Sequence, residues 1–106
     1  MLRLMTAVGL TLGLMGLTGT SATRHEIRQQ DKRFSQEELV VSVGDSVTFI
    51  NDDLVTHNVF SSSIGLRFNL RTQPPGEVGT VAFASAGIAR VRCAFHPGMR
   101  LTVRIR

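Results

Sequence analysis

The chain has 106 residues and a formal net charge of +4; it carries one cysteine, six phenylalanines and neither tyrosine nor tryptophan. A single cysteine excludes an internal disulfide framework. With no Tyr or Trp to stack on bases and no recognition-helix pattern, nucleic acid is not an expected partner. Nearly all the positive charge is arginine, which favours an acidic protein partner or an anionic surface.

The first residues do not read as folded domain. Arg3 is followed by a stretch from Leu4 to Leu17 that is almost wholly apolar or glycine, and Thr20-Ser21-Ala22 offers the small residues that a signal peptidase reads. The apolar run is short against the about 20 residues of a membrane span, and no lipid-accepting cysteine follows it. Residues 1–22 are therefore expected to be a signal peptide cleaved after Ala22. The product would be a periplasmic protein with no stable membrane insertion; the competing reading is a retained N-terminal anchor. Residues 23–106 would then form one domain of 84 residues with a charge of +3. A domain of that size buries only about 60–65% of its unfolded surface. Its lone thiol needs burial, a metal or a partner chain to survive an oxidising compartment.

Thr23 to Lys32 is polar and charged and reads as a loose segment or a short edge element, with His25 as an exposed surface histidine. From Phe34 onward the pattern is that of strands. Leu39, Val41 and Val43 alternate with polar or smaller neighbours, Gly44-Asp45 makes a turn, and Val47, Phe49 and Asn51 resume the alternation, which predicts a hairpin. Asn51-Asp52-Asp53 breaks the strand, and His57 to Phe60 is a further extended piece. Residues 64–76 carry no clear signal. Val78 to Phe83 and Ile88 to Cys93 are strands joined by Ser85-Ala86-Gly87. In the last stretch, Leu101, Val103 and Ile105 face one way, while Arg100, Thr102, Arg104 and Arg106 face the other, as in a half-buried strand with a basic outer face. Many short strands and no helical period predict an all-β antiparallel sandwich or barrel, in which the loops after Asn51 and after Cys93 can meet at one pole.

Those two loops hold the chemistry. Cys93-Ala94-Phe95-His96-Pro97-Gly98-Met99 presents a thiol, an imidazole and a thioether at three-residue intervals, and His57 lies upstream. Cu(II) prefers nitrogen and oxygen donors, whereas Cu(I) prefers soft donors. Two imidazoles and a thiolate in a plane, with a long axial thioether, lie between these preferences. The candidate ligands of one type 1 copper are His57, Cys93 and His96 in the plane and Met99 on the axis. Taken singly, the cysteine reads as an inert buried thiol, the methionine as core filler and His57 as a local capping residue. Methionine is a poor ligand for structural zinc.

The pattern Asp-x-x-x-His-Asn-Val followed by Cys-x-x-His-Pro-x-Met resembles the cupredoxin, or blue copper, family, and the short gap between His96 and Met99 is similar to its amicyanin-like branch. Val43 to Phe49, Pro75-Gly76-Glu77 and Ala86-Gly87 extend the resemblance over most of residues 34–106, toward small bacterial cupredoxins of methylamine utilisation. The resemblance implies a Greek-key β-sandwich with copper near one end. It also implies that Asn58 ties the two ligand loops together and hydrogen-bonds near the thiolate. His96 would be the partly exposed electron port, ringed by a contact patch of Phe95, Pro97 and Gly98. The domain is short for the family, which implies a missing or reduced strand. The arginines at 90, 92, 100, 104 and 106 differ from the acidic patches of some relatives.

The leading expectation is a monomeric periplasmic electron carrier that is not an enzyme. It would exchange single electrons with a redox protein, either a c-type cytochrome or a periplasmic dehydrogenase. A copper-binding carrier or chaperone would use the same donors but needs an open, exchangeable site. A Cys93 nucleophile served by a histidine base lacks an oxyanion hole and an orienting acid at recognisable spacing.

Overall fold

The computed structural model describes residues 21–106, so the expected signal peptide lies outside the described residues except for Ser21 and Ala22. Every regular element among the described residues is a strand. They are β1 (Arg24–Gln30), β2 (Arg33–Phe34), β3 (Glu38–Val41), β4 (Ser46–Asn51), β5 (His57–Ser61), β6 (Phe68–Gln73), β7 (Val78–Ala82), β8 (Gly87–Arg92) and β9 (Arg100–Ile105). They form two sheets, one in the order β2-β1-β4-β7 and the other in the order β3-β9-β8-β5-β6. Only β1–β2, β5–β6 and β8–β9 are joined within a sheet. The remaining connections cross between sheets, giving the Greek-key sandwich.

Alternation along each strand builds the core. Ile27, Val47 and Phe49 from the first sheet meet Val41, Val59, Ala89, Val91, Leu101 and Val103 from the second. Phe49 stands at the centre, with ring centroids 6.2 Å from Phe34 and 6.1 Å from Phe68. The last strand behaves as its pattern predicts: Leu101, Val103 and Ile105 are buried, while Arg100 and Arg104 are exposed.

The structure corrects three expectations. Residues 39–51 are not a hairpin, because β3 runs parallel to β9 in one sheet while β4 runs antiparallel to β7 in the other. The Gly44-Asp45 turn, with Gly44 at φ +95°, carries the chain across the sandwich instead. The segment from Thr23 is not loose. As β1 it pairs in parallel with the whole of β4 and antiparallel with β2, and it lies inside the sheet rather than at its edge. His25 is not a free surface residue, since its Nε2 sits 3.0 Å from Asp45 Oδ2. The stretch that carried no signal contains β6, and β2 is reduced to two residues.

Candidate metal centre

The two halves of the sandwich converge at one pole through two loops. One runs from β4 to β5 and delivers His57 as the first residue of β5; the other runs from β8 to β9 and contains Cys93, His96 and Met99. Pro97 and Gly98 make the second loop a tight turn, in which the Met99 N–H donates to the His96 carbonyl at 2.9 Å. The turn sends Met99 inward, where it is 1% exposed, and leaves His96 half-buried at the rim.

Three donor atoms form a near-equilateral triangle. His57 Nδ1 and His96 Nδ1 are 3.2 Å apart, and Cys93 Sγ lies 3.7 Å from the first and 3.8 Å from the second. A point equidistant from them is about 2.1 Å from each, within the about 2.0–2.3 Å that imidazole nitrogen and thiolate sulfur take to a divalent ion. His57 and Cys93 are buried and His96 only partly so. Size alone would admit zinc. The donor chemistry selects copper, because two imidazoles and one thiolate with a thioether on the same loop suit a Cu(II)/Cu(I) couple.

Outer contacts hold the donors in place. The ring of His57 is fixed on its far side by Asp53, whose Oδ2 lies 2.8 Å from Nε2. Asp53 is itself held by the Lys32 N–H at 2.8 Å and the Leu54 N–H at 2.9 Å. Those contacts, the Lys32 amide first and the His57 ring next, hold its carboxyl down at about 2. A carboxylate on the remote nitrogen fixes the ring and leaves Nδ1 free as the donor toward a metal. Burial, and then the proximity of His57, push the His96 pKa down, which keeps its lone pair available. The thiol accepts a 3.3 Å hydrogen bond from the Asn58 backbone N–H. The Asn58 side chain turns away to Asn69 Oδ1 at 3.0 Å and the Arg71 carbonyl at 2.9 Å. It therefore ties β5 to β6 rather than to the Cys93 loop. Among the contact-patch residues, Phe95 is 55% exposed, and Pro97 and Gly98 are exposed around His96. Leu54, on the opposing loop, is 93% exposed.

Three participants had no role assigned from the sequence. Asp53 occupies the first position of the Asp-x-x-x-His pattern, so its spacing was visible although its function was not. Lys32 acts through its main chain, which no side-chain pattern reports. Asn51 is fully buried and donates to the carbonyls of Val55 and Gln73 at 2.9 and 2.8 Å, bracing the loop that carries Asp53.

A thiolate, two imidazoles and a buried thioether gathered at one pole of a Greek-key sandwich define the type 1 copper class. The chain belongs to the plastocyanin/azurin family of copper-binding proteins, whose family model matches residues 21–106. It is 32% identical over 80 residues to the methylamine utilization protein MauL of Methylorubrum extorquens, a match covering 74% of this chain and 66% of that protein. Among solved structures, the purple cupredoxin of Nitrosopumilus maritimus superposes with a TM-score of 0.69 at 26% identity, covering 77% of this chain and 99% of that one. A reduced amicyanin variant superposes with a TM-score of 0.71 at 26% identity, covering 86% and 88%.

Proposed function

We propose that this protein is a mobile one-electron carrier of the periplasm, with residues 23–106 as its mature, monomeric domain. The observation that carries this reading is the braced donor triangle of His57, Cys93 and His96. Copper held there supplies the Cu(II)/Cu(I) couple. The chain supplies rigidity: Asp53 fixes one imidazole, the Asn58 amide fixes the sulfur and the Pro97-Gly98 turn fixes the spacing of the loop. Donors that cannot rearrange keep the geometry close between oxidation states. Four donors drawn from two anchored loops also disfavour the copper-chaperone reading, which requires ligands that exchange readily.

His96 reaches the rim, and Phe95, Pro97 and Gly98 form the apolar contact around it; a transient redox encounter needs only a small interface of this kind. The partner in this reading is another redox protein, a c-type cytochrome or a periplasmic dehydrogenase. The likeness to MauL supports a place in methylamine utilization. The arginines of β8 and β9 fit an acidic docking surface on that partner. Arg92 and Arg100 stand directly opposite each other on the outer face, an arrangement of like charges that weakens a sheet unless something answers it.

Titration of the purified mature protein with Cu(II), followed by visible absorption, tests the reading. An intense thiolate-to-copper band that saturates at one equivalent and bleaches on reduction is expected. Weak or absent colour, with tight binding of Cu(I) instead, would sink the carrier reading in favour of the chaperone.

A further inference from the structure

At the end of β4 remote from the donor loops, one carboxylate collects three donors. Asp45 Oδ1 accepts the Thr23 main-chain N–H at 2.9 Å. Asp45 Oδ2 accepts the Ser42 N–H at 2.9 Å and lies 3.0 Å from His25 Nε2. The Thr23 carbonyl is held in turn by the Ser46 N–H at 3.0 Å, so Thr23 is fixed on both sides of its α-carbon. The carboxylate is only 8% exposed. Immediately before Thr23, Ser21 and Ala22 are exposed and belong to no strand.

We propose that proteolytic processing between Ala22 and Thr23 completes this site: the α-ammonium of the new terminus seats on Asp45 and ties β1 to the β3–β4 turn. The proposal rests on the export reading but not on the copper reading. Hydrolysis by a peptidase adds water across the peptide bond, the hydroxyl going to the Ala22 carbonyl carbon and a hydrogen to the Thr23 nitrogen. That nitrogen then takes up a further proton. A neutral amide donor thereby becomes a cation without leaving its place against the carboxylate, and a charge-assisted hydrogen bond is about twice as strong as a neutral one.

The titratable side chains facing the nitrogen are Asp45 and His25. The Arg24 guanidinium is engaged with Glu26 at 3.0 Å. On the other side of the turn, the Arg106 main-chain carbonyl accepts the Val43 N–H. Hydrogen bonds, from Thr23 first, then His25 and Ser42, hold the Asp45 carboxyl down at about 2. An ammonium paired with it is raised above the usual α-amino range of about 7.7–8.0. The stability gained from the pair is therefore full at neutral pH. It is lost as pH rises through the raised amine value, and lost again as pH falls from about 4 to about 2.

The test has two parts. The intact mass of the protein exported by a bacterial host should correspond to a chain beginning at Thr23; a chain beginning elsewhere overturns the processing site. The protein with a free Thr23 amine should then melt about 4–8 °C above the same protein with that amine acetylated, both in the same metal state, the scale of one such bond in a domain of this size. The gap should close at alkaline pH and be absent in Asp45→Asn. Equal melting of the free and acetylated forms overturns the anchor. Should Asp45→Asn fail to fold, the amine can be labelled by reductive ¹³C-methylation and titrated by NMR, where Lys32 gives the only other amine signal. A Thr23 pKa raised above that of a model peptide carrying the same label supports the anchor, and an ordinary value overturns it.

Discussion

Asp53 braces the donor triangle from behind His57, and Met99 is the proposed axial donor; their substitutions separate geometry from electronics. As the proposed axial donor, the Met99 thioether would donate weakly and favour Cu(II). Met99→Leu keeps the three in-plane donors and should raise the reduction potential by on the order of 59 mV, the change that a tenfold loss of preference gives in a one-electron couple. Voltammetry checks this, and an unchanged potential would mean that Met99 is not a ligand. Asp53→Asn removes the negative charge from the back of His57 while keeping a polar group there. Loss of such an outer partner costs about 10–100-fold in metal affinity. A competition titration against a chelator should show that loss with the colour retained. The cluster of His57, Cys93 and His96 was legible in the sequence because the chemistry needs those residue types and only one cysteine offers itself. The bracing was less so: an amide of Lys32 or Asn58 has no side-chain signature, and Asp53 looks like any acidic turn residue until His57 is placed against it.

The β1–β2 hairpin shows how a strained element serves the site. Its two turn residues, Asp31 and Lys32, both have positive φ, at 52° and 58°. Non-glycine residues there carry a penalty of roughly 1–2 kcal/mol each. That conformation aims the Lys32 N–H at Asp53. Lys32→Gly relieves one penalty and keeps the N–H, so it should raise stability in urea denaturation by about 1 kcal/mol, less the greater freedom of an unfolded glycine. Copper affinity should stay as it was; a fall would show that the lysine side chain also contributes. Strand positions with strong alternation, β9 above all, were readable because burial on one face is a local property. The pairing of strands was not. A Gly-Asp turn between two alternating runs reads the same whether the runs pair or part, and in this chain the partner of β3 is β9, far downstream. β1 was misread for the opposite reason: it buries only Ile27 and Gln29 fully and turns charged residues outward. Its place was fixed by partners that lie beyond its own residues.

Across the whole molecule, charge and strand order matter more than any single contact. The outer face of β8 and β9 carries Arg90, Arg92, Arg100 and Arg104, of which only Arg104 has a carboxylate partner among the described residues, Glu38. Arg92 and Arg100 adjoin Cys93 and Met99 in sequence, so this field reaches the copper pole. Reversing Arg90 and Arg92 to glutamate should slow electron transfer with an acidic partner by about tenfold or more at 0.01 M salt, where charges act over about 30 Å. The two rates should converge as salt rises, which stopped-flow measurements at several ionic strengths would show. Equal slowing at every ionic strength would place docking elsewhere. The strand order also governs timing. β9 sits between β3 and β8, inside its sheet, yet every other strand among the described residues is synthesised before it. The second sheet cannot close until β9 arrives, and the loop that brings it holds three of the four proposed donors. For an exported chain, the cysteine therefore crosses the membrane in an unfolded segment, without its cage. In such a chain, copper could be held only once β9 has brought that loop into place.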